Sequence, residues 1–213
     1  MKVLIICVSL VLLSGCSVLG KESVENAPYN IIKTAENEAI ELRRYDRMIL
    51  VSAPMDGGMK GERNNAFRTL FRYISGDNID QTKIAMTAPV IMDQTPKRSG
   101  KEIPMTAPVF MDGDNDGAMM SFVMPADFTM ETTPIPTNQN VKIQELVDYT
   151  VAAITFNGRL EQANIETHKN LLLNWITDNN YKQIGSYRAA GYNPPFTMPA
   201  FRRNEILIPV EIP

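Results

Sequence analysis

The amino-acid sequence predicts an α+β fold: a distorted β-barrel of two pseudo-symmetric halves, each a curved antiparallel sheet with one helix. Two observations lead to this prediction. The order of two strands, one helix and further strands occurs twice, with an offset of ~100 residues. A polar crossover at residues 125–140, which contains Pro134 and Pro136, separates the two copies. Because two such halves usually leave a cleft between them, a binding groove is expected there.

The first half begins with strand-like segments. Residues 29–34 and 39–43 show strand-like patterns, and residues 48–51 form a continuous apolar run typical of a buried strand. The polar stretch 44–47 between the last two segments predicts a turn. A helix is then expected over residues 61–75.

The apolar stripe of this first helix has the spacing i, i+3, i+4 and i+7. Its members are Phe67, Leu70, Phe71 and Ile74. Gly76 follows, and a glycine at this point is typical of a helix end.

Two apolar segments, 83–93 (KIAMTAPVIMD) and 102–112 (EIPMTAPVFMD), are nearly identical. Each holds a proline, which lacks the N–H needed for a sheet ladder, so each strand must lie at an edge or form a bulge there. The linker 94–100 is rich in turn formers, which predicts a hairpin. The methionines of this hairpin either form an adaptable ligand surface or fill the core.

The second half repeats the pattern of the first. After a strand at 119–124, the predicted elements are strands at 141–146 and 150–156, a turn at Asn157 and Gly158, a helix at 161–177, and strands at 187–191 and 205–210. The buried stripe of this helix is expected to contain Ile165, Leu172, Trp175 and Ile176. The acidic stretch 112–117 opens like an EF-hand loop, but the closing position holds Val123 instead of glutamate. A hairpin turn is therefore favoured over a calcium site.

The N-terminal residues predict a lipoprotein signal peptide over 1–15. The four residues ending at Cys16 resemble the lipobox of bacterial lipoproteins, which implies acylation of Cys16, a lipidated tether at 16–28 and a folded domain at 29–213. Ser17 resembles the residue found in lipoproteins sorted to the outer membrane, where the domain would face the periplasm. The alternative is an ordinary secreted protein.

The net charge and the cysteine content argue against several classes of function. The formal net charge is −3 and no long basic run occurs, which argues against nucleic acid as a partner. Cys7 and Cys16 are the only cysteines, and both precede the expected domain. Disulfides, thiol catalysis and cysteine metal sites in that domain are therefore excluded.

Several separate motifs resemble those of the SOUL haem-binding family, from residue 29 to the C-terminus. They lie at 76–78, 83–90, 122–125, 156–158, 190–195 and 202–205. The resemblance implies a distorted barrel of two similar halves that binds haem or another tetrapyrrole in an open hydrophobic cleft. We expect a monomeric protein that sequesters or transfers this ligand.

By the same resemblance, the first helix and the loop before the last strands supply the haem site. The implied contacts are Met59, Arg63, Phe67, Arg188, Tyr192 and Phe196. His168 is the only histidine, and its position makes it either an axial iron ligand or a packed side chain. Tyr192, a methionine or no ligand at all are the other possibilities for the iron.

Two other functions are possible alternatives. A hydrolase on the same barrel would need a catalytic set, but one histidine and no cysteine leave only carboxylate pairs such as Glu41 and Glu145. An envelope interaction protein would place an apolar segment of a partner in the cleft. We expect a binding protein and not an enzyme.

Overall fold

The computed structural model describes residues 25–36, 39–55, 63–80, 101–112, 118–194 and 196–213. Within these ranges the fold class is the predicted one, α+β with a distorted antiparallel β-barrel. In chain order, the elements are β1 (Glu25–Asn26), β2 (Asn30–Thr34), β3 (Ile40–Pro54), α1 (Arg63–Ile74), β4 (Asn78–Ile79), β5 (Thr106–Asp112), β6 (Met119–Val123), β7 (Ile135–Pro136), β8 (Lys142–Phe156), α2 (Gln162–Asp178), β9 (Lys182–Gln183), β10 (Arg188–Gly191), a 3₁₀-helix (Pro199–Phe201) and β11 (Asn204–Glu211).

The chain forms two compact units, and the described residues of each contain one α-helix. Unit 1 contains residues 29–44 and 150–213, and unit 2 contains residues 26–28 and 45–149. The units differ from the two contiguous halves expected from the sequence, because β3 and β8 each run through a unit boundary.

The predicted turn at 44–47 is wrong, because β3 continues through it for a total of 15 residues. The side chains alternate there in the period of a strand: Arg43 and Tyr45 are buried, whereas Arg44 and Asp46 are exposed. Likewise, the two strands predicted at 141–156 are the single strand β8. Polar residues on the exposed face of a strand gave the appearance of a turn.

In unit 1, β11 lies between β8 and β10, and both pairings are antiparallel. Ile206 is opposite Ile154 on one side and Ala189 on the other, and all three are buried. α2 contacts β11. Its predicted stripe is confirmed for Ile165, Leu172 and Ile176, which are buried, whereas Trp175 is half-buried.

In unit 2, β6 lies between β3 and β5. The antiparallel pairing of β5 with β6 confirms the hairpin predicted around residues 112–117. Residues 113–117 of its turn lie outside the described residues. The ladder shifts register between Thr106 and Val109, which is the bulge predicted at Pro108. Segment 83–93, and with it the expected pairing of the two similar segments, lies outside the described residues.

α1 ends at the predicted motif 76–78. Gly76 has φ 100, and the N–H groups of Gly76 and Asp77 donate to the carbonyls of Tyr73 and Arg72. The Asn78 side chain then donates to the carbonyls of Tyr73 at 2.6 Å and Lys101 at 2.8 Å. This asparagine therefore connects the helix end to the segment that precedes β5.

The buried face of α1 is rotated relative to the predicted stripe. Leu70 and Ile74 are buried as expected, but Phe67 and Phe71 are 39% and 48% exposed. Ala66 and Tyr73 are buried in their place. The Tyr73 hydroxyl donates to the Pro134 carbonyl at 2.7 Å, which fixes the rotation of the helix.

This rotation predicts unequal costs for two neighbouring substitutions. Leu70→Ala should lower the free energy of unfolding by about 2–5 kcal/mol, because it leaves a cavity beneath α1. Phe71→Ala, which removes the larger but exposed side chain, should cost less than about 1 kcal/mol. Urea unfolding of both variants measures the difference, and similar costs would show that the described rotation is incorrect.

Candidate functional site

An exposed aromatic face lies on α1 in unit 2. The rings of Phe67 and Phe71 stack with centroids 6.1 Å apart and an interplanar angle of 13°. Beneath them, Phe122 of β6 makes an edge contact with Phe67 at 5.4 Å. Phe67 therefore rests on a buried third ring, and together with Phe71 it presents an apolar aromatic surface to solvent. We call Phe67 and Phe71 the aromatic face.

α1 also carries arginine side chains. Arg68 is exposed, whereas the Arg72 guanidinium lies 2.7 Å from the Asp77 carboxylate. Arg63 begins α1, but its side chain lies outside what the structure describes, and Met59 lies outside the described residues altogether. Of the three predicted contacts in unit 2, the structure therefore describes the side chain of Phe67 only.

The other predicted contacts belong to unit 1. Arg188 is half-buried at the start of β10, and Phe196 is 63% exposed. Tyr192, one residue after β10, is buried, and its hydroxyl donates to Glu205 at 2.6 Å. That hydroxyl is thus engaged inside the unit.

Glu205 lies at the centre of a buried ion cluster in unit 1. Its carboxylate has no solvent exposure and accepts a two-pronged ion pair from Arg43, with distances of 2.8 and 3.1 Å. Arg203 donates to the same carboxylate at 2.8 Å. The Thr155 hydroxyl donates at 3.1 Å, in addition to the Tyr192 hydroxyl. Both carboxylate oxygens are consequently saturated with donors.

Two rings and a second carboxylate complete the cluster. The Arg43 guanidinium lies 4.3 Å from the ring centre of Tyr29, and that of Arg203 lies 4.1 Å from the ring centre of Tyr192. Glu41 accepts a hydrogen bond of 2.6 Å from Arg43 Nε. Two arginines and two glutamates thus balance one another. We infer a structural role for the cluster, because no oxygen of Glu205 is open to a substrate.

The ion cluster controls the acidity of Glu205. Burial alone would raise the pKa of this carboxyl group, because it disfavours the charged form. The neighbouring Arg43 opposes burial, and Arg203 and the Tyr192 hydroxyl add to its effect. Together they hold the pKa of Glu205 below its ordinary value, so the carboxylate is charged at neutral pH.

Sequence reasoning did not identify the ion cluster, although two signals were present. Glu205 adjoins the apolar run 206–210, and a charge beside such a run often has a buried partner. Arg43 occupies an inward position of an alternating strand. The sequence pattern does not show that these two residues, which are 162 positions apart, pair with each other.

His168 packs as a side chain of α2. Its ring stacks on Phe156 with centroids 3.9 Å apart, and its Nδ1 lies 2.7 Å from the Asn164 carbonyl oxygen. Among the described residues, no three His, Cys, Asp or Glu side chains are grouped so as to hold a metal ion. The carboxylates proposed for acid–base work each have an arginine neighbour: Arg43 for Glu41, and Arg47 at 3.9 Å for Glu145.

A crevice in unit 2 has a volume of about 10 Å³ and is lined by residues that include Arg47, Met48 and Phe128. Ligand pockets usually measure about 300–1,000 Å³, so this crevice is far too small for a large planar molecule. It includes none of the predicted site residues. The aromatic face is therefore the described surface that we consider for a flat apolar ligand.

Comparison with known proteins identifies relatives. The family model described as SOUL heme-binding protein matches residues 24–209. Heme-binding protein 1 of Mus musculus is 26% identical over 192 residues, which covers 86% of this chain and 92% of that protein. Heme-binding protein 1 of Sus scrofa is 22% identical over 191 residues, with the same coverage.

Solved structures with the same fold are more distant in sequence. The C-terminal domain of EcmrR superposes with a TM-score of 0.53 at 14% identity, covering 86% of this chain and 98% of that one. A hydrolase from Listeria innocua has a TM-score of 0.50 at 14% identity, covering 81% and 91%. Similarity at this level concerns the fold alone.

The ion cluster predicts a stability that depends on pH. Because the pKa of Glu205 is lower in the folded chain than its ordinary value of 4.5, its contribution is complete above that pH and is lost as the pH falls further. Glu205→Gln should lower the free energy of unfolding at pH 7 by about 3–5 kcal/mol, since Arg43 and Arg203 lose their buried partner.

Denaturant unfolding at a series of pH values tests this prediction. The difference between wild type and Glu205→Gln should shrink as the pH falls below 4.5. Glu211→Gln is a matched control, because Glu211 is 61% exposed and lies 3.5 Å from Lys182. It should cost less than about 1 kcal/mol. An equal cost for both variants would contradict the role assigned to the cluster.

Proposed function

Because the chain belongs to the SOUL haem-binding protein family, we propose that it binds haem or another tetrapyrrole, for sequestration or transfer. The family match over residues 24–209 carries this proposal, since it extends through both units and most of the chain. The name of the mouse and pig relatives, heme-binding protein 1, agrees with it.

The aromatic face supports the proposal on physical grounds. A tetrapyrrole is a broad, flat, apolar ring system with anionic propionates at one edge. The two exposed rings of Phe67 and Phe71 offer a surface on which such a ring system can lie. Arg68, which is exposed on the same helix, can pair with a propionate. The residues present therefore fit this class of ligand.

The other predicted contacts, Met59, Arg63, Arg188, Tyr192 and Phe196, remain predictions from the family resemblance. Axial ligation is not required, since aromatic contact and propionate pairing can hold the macrocycle by its faces and edge. His168, which stacks on Phe156, is the candidate if the iron is ligated.

We propose a binding protein and not an enzyme. The saturation of Glu205 and the arginine neighbours of Glu41 and Glu145 support this choice, because a general acid or base must reach its substrate. The hydrolase from Listeria innocua is related by fold only, and its activity does not transfer at 14% identity.

The proposed location is the bacterial cell envelope. Residues 1–15 would be removed as a lipoprotein signal, and acyl chains on Cys16 would hold the domain at the outer membrane, facing the periplasm. Within the described residues, no helix is long and apolar enough to cross a bilayer. The sequence motif at Cys16 is what supports this anchoring.

Haemin titration of the purified full chain in detergent tests the ligand. Wild type should develop a Soret band at a shifted wavelength, and the double variant Phe67→Ala, Phe71→Ala should bind about tenfold more weakly, because the flat aromatic contact is lost. Leu171→Ala is the control, since Leu171 is a 51%-exposed apolar residue on the other helix. An unchanged affinity in the double variant would exclude the aromatic face.

The same titration with iron-free protoporphyrin tests axial ligation. Binding of haemin and protoporphyrin with similar affinity indicates that no iron ligand is essential. Preference for haemin that disappears in His168→Ala would assign His168 as the ligand. No binding of either molecule to wild type would contradict the proposed function.

The anchor has its own test. Wild type expressed in a bacterium should sediment with membranes, and its mass should exceed that of residues 16–213 by the attached acyl chains. Cys16→Ser should abolish the added mass. The protein should then be found either in the soluble fraction or with its signal segment uncleaved. Cys7→Ser is the control, because Cys7 lies inside the segment that would be removed. Loss of the added mass in this control would be inconsistent with the proposed cleavage site.

A further inference from the structure

The solvent-exposed face of α2 carries no charge over four turns. The exposed residues between positions 162 and 177 are Ala163, Thr167, Asn170, Leu171, Asn174 and Thr177. Exposed carboxylates lie at the two ends of the helix, at Glu161 and Asp178, whereas α1 exposes Arg68 and Arg72 along its length. Surface helices usually present charged residues to solvent, and the core of a protein–protein interface is depleted of them. We call these six residues the uncharged face.

The charged residues in the middle of α2 are held at its flank. Lys169 and Glu166 form an ion pair of 2.6 Å, and both are half-buried. The Lys169 ammonium group also lies 5.0 Å from the ring centre of Tyr187, the residue before β10. These two charges therefore face the body of unit 1 and do not border the centre of the uncharged face.

The polar groups of the uncharged face can be buried at low cost. The Thr167 hydroxyl donates to the Ala163 carbonyl at 2.8 Å, and the Thr177 hydroxyl donates to the Leu173 carbonyl at 3.0 Å. Because both hydroxyl donors are already bonded within the helix, covering them leaves no donor without an acceptor. The asparagine side chains carry donors and an acceptor in one group, so each can pair with another carboxamide.

We propose that the uncharged face docks on the same face of a second copy of this chain, with the two α2 helices antiparallel. Five of its residues are separated alternately by four and three positions, which is the spacing of a seam between two packed helices: Ala163, Thr167, Asn170, Asn174 and Thr177. A two-fold axis near Asn170 makes this seam complementary to itself. Asn170 then meets its own copy, Thr167 lies near Asn174 of the other copy, and Ala163 lies near Thr177.

Electrostatics favours a second copy as the occupant of the uncharged face. The chain has a net charge of −3, so two copies repel one another on average. Contact through the uncharged face brings no charged side chains together in the seam, and it leaves Glu161 and Asp178 at the rim, where salt screens them. Contact along one helix is smaller than a standard interface of about 1,600 Å², so the association should depend on protein concentration.

The dimer is independent of the proposed ligand surface. Phe67 and Phe71 belong to unit 2, whereas α2 belongs to unit 1. The proposal departs from the monomeric state expected from the sequence, because that expectation did not consider the composition of the exposed face of α2. Dimerisation and haem binding can therefore be tested, and can fail, separately.

Cysteine cross-linking of the full chain in detergent tests the contact. Cys7→Ser and Cys16→Ser remove the native thiols, so an introduced cysteine is the only one left. Mild oxidation should link Asn170→Cys into a covalent dimer, because residue 170 meets its own copy at the axis. Val147→Cys, at a 60%-exposed position of β8, is the control and should remain monomeric. Cross-linking of Asn170→Cys that does not exceed this control overturns the proposal.

The same oxidation tests the antiparallel arrangement. A mixture of Ala163→Cys and Thr177→Cys chains should form mixed dimers, because these positions lie close together across the seam. Ala163→Cys alone should stay monomeric, since its two copies would be about 21 Å apart at 1.5 Å per residue. Linking of Ala163→Cys to itself as efficiently as to Thr177→Cys contradicts the two-fold axis near Asn170.

Charge substitutions without any added cysteine provide a second test. Thr167→Glu with Asn174→Glu places carboxylates opposite one another and should convert the dimer to a monomer in sedimentation equilibrium. Thr167→Lys with Asn174→Glu places opposite charges there and should restore the dimer. A monomeric wild type at all concentrations, or equal masses for wild type and the double-glutamate variant, overturns the proposal. Haemin binding by that variant should equal the binding by wild type, which shows that the variant is folded and that the ligand surface is separate.

Discussion

The fold of unit 1 depends on one buried carboxylate. Glu205 of β11 connects Arg43 of β3, Thr155 of β8 and Tyr192, which follows β10, so a single side chain contacts the strands of this sheet or their ends. Burying charges is costly, and the cost is offset only when geometry and hydrogen bonding are complete. Here both oxygens are saturated and both guanidinium groups stack on aromatic rings. A shift of β11 by one residue would bury an unpaired charge, so the ion cluster specifies the register of the strands.

Local sequence patterns correctly predicted the structural elements that are determined by neighbouring residues. The helices α1 and α2, the end of α1 at Gly76 and the bulge at Pro108 follow from periodicity, from a glycine with positive φ and from a missing N–H. The turn predicted at 44–47, within β3, was wrong because it was inferred from the polar composition of that stretch. The alternation of buried Arg43 and Tyr45 with exposed Arg44 and Asp46 has the period of a strand.

Features that depend on distant pairing could not be predicted in this way. The rotation of α1 is determined by contacts such as the hydrogen bond from Tyr73 to Pro134, 61 positions away, and a helical stripe alone cannot distinguish adjacent faces. The partnership of Arg43 with Glu205 spans 162 positions. For the site, Phe67 was named from the sequence as a family contact, but its exposure and its stacking on Phe71 became visible only in the folded chain.

The distribution of polar and apolar groups indicates where ligands can act on this chain. In unit 1, the strongest charges are buried and saturated by one another, so they contribute to stability and are not available for chemistry. In unit 2, two stacked aromatic rings are exposed instead: Phe67 and Phe71 on α1. A partner recognised through such a surface is itself flat or apolar, such as a macrocycle. Binding through contact area and not through a dedicated ligating residue is consistent with the proposed function. It is also consistent with His168, the single histidine of the chain, which stacks on Phe156.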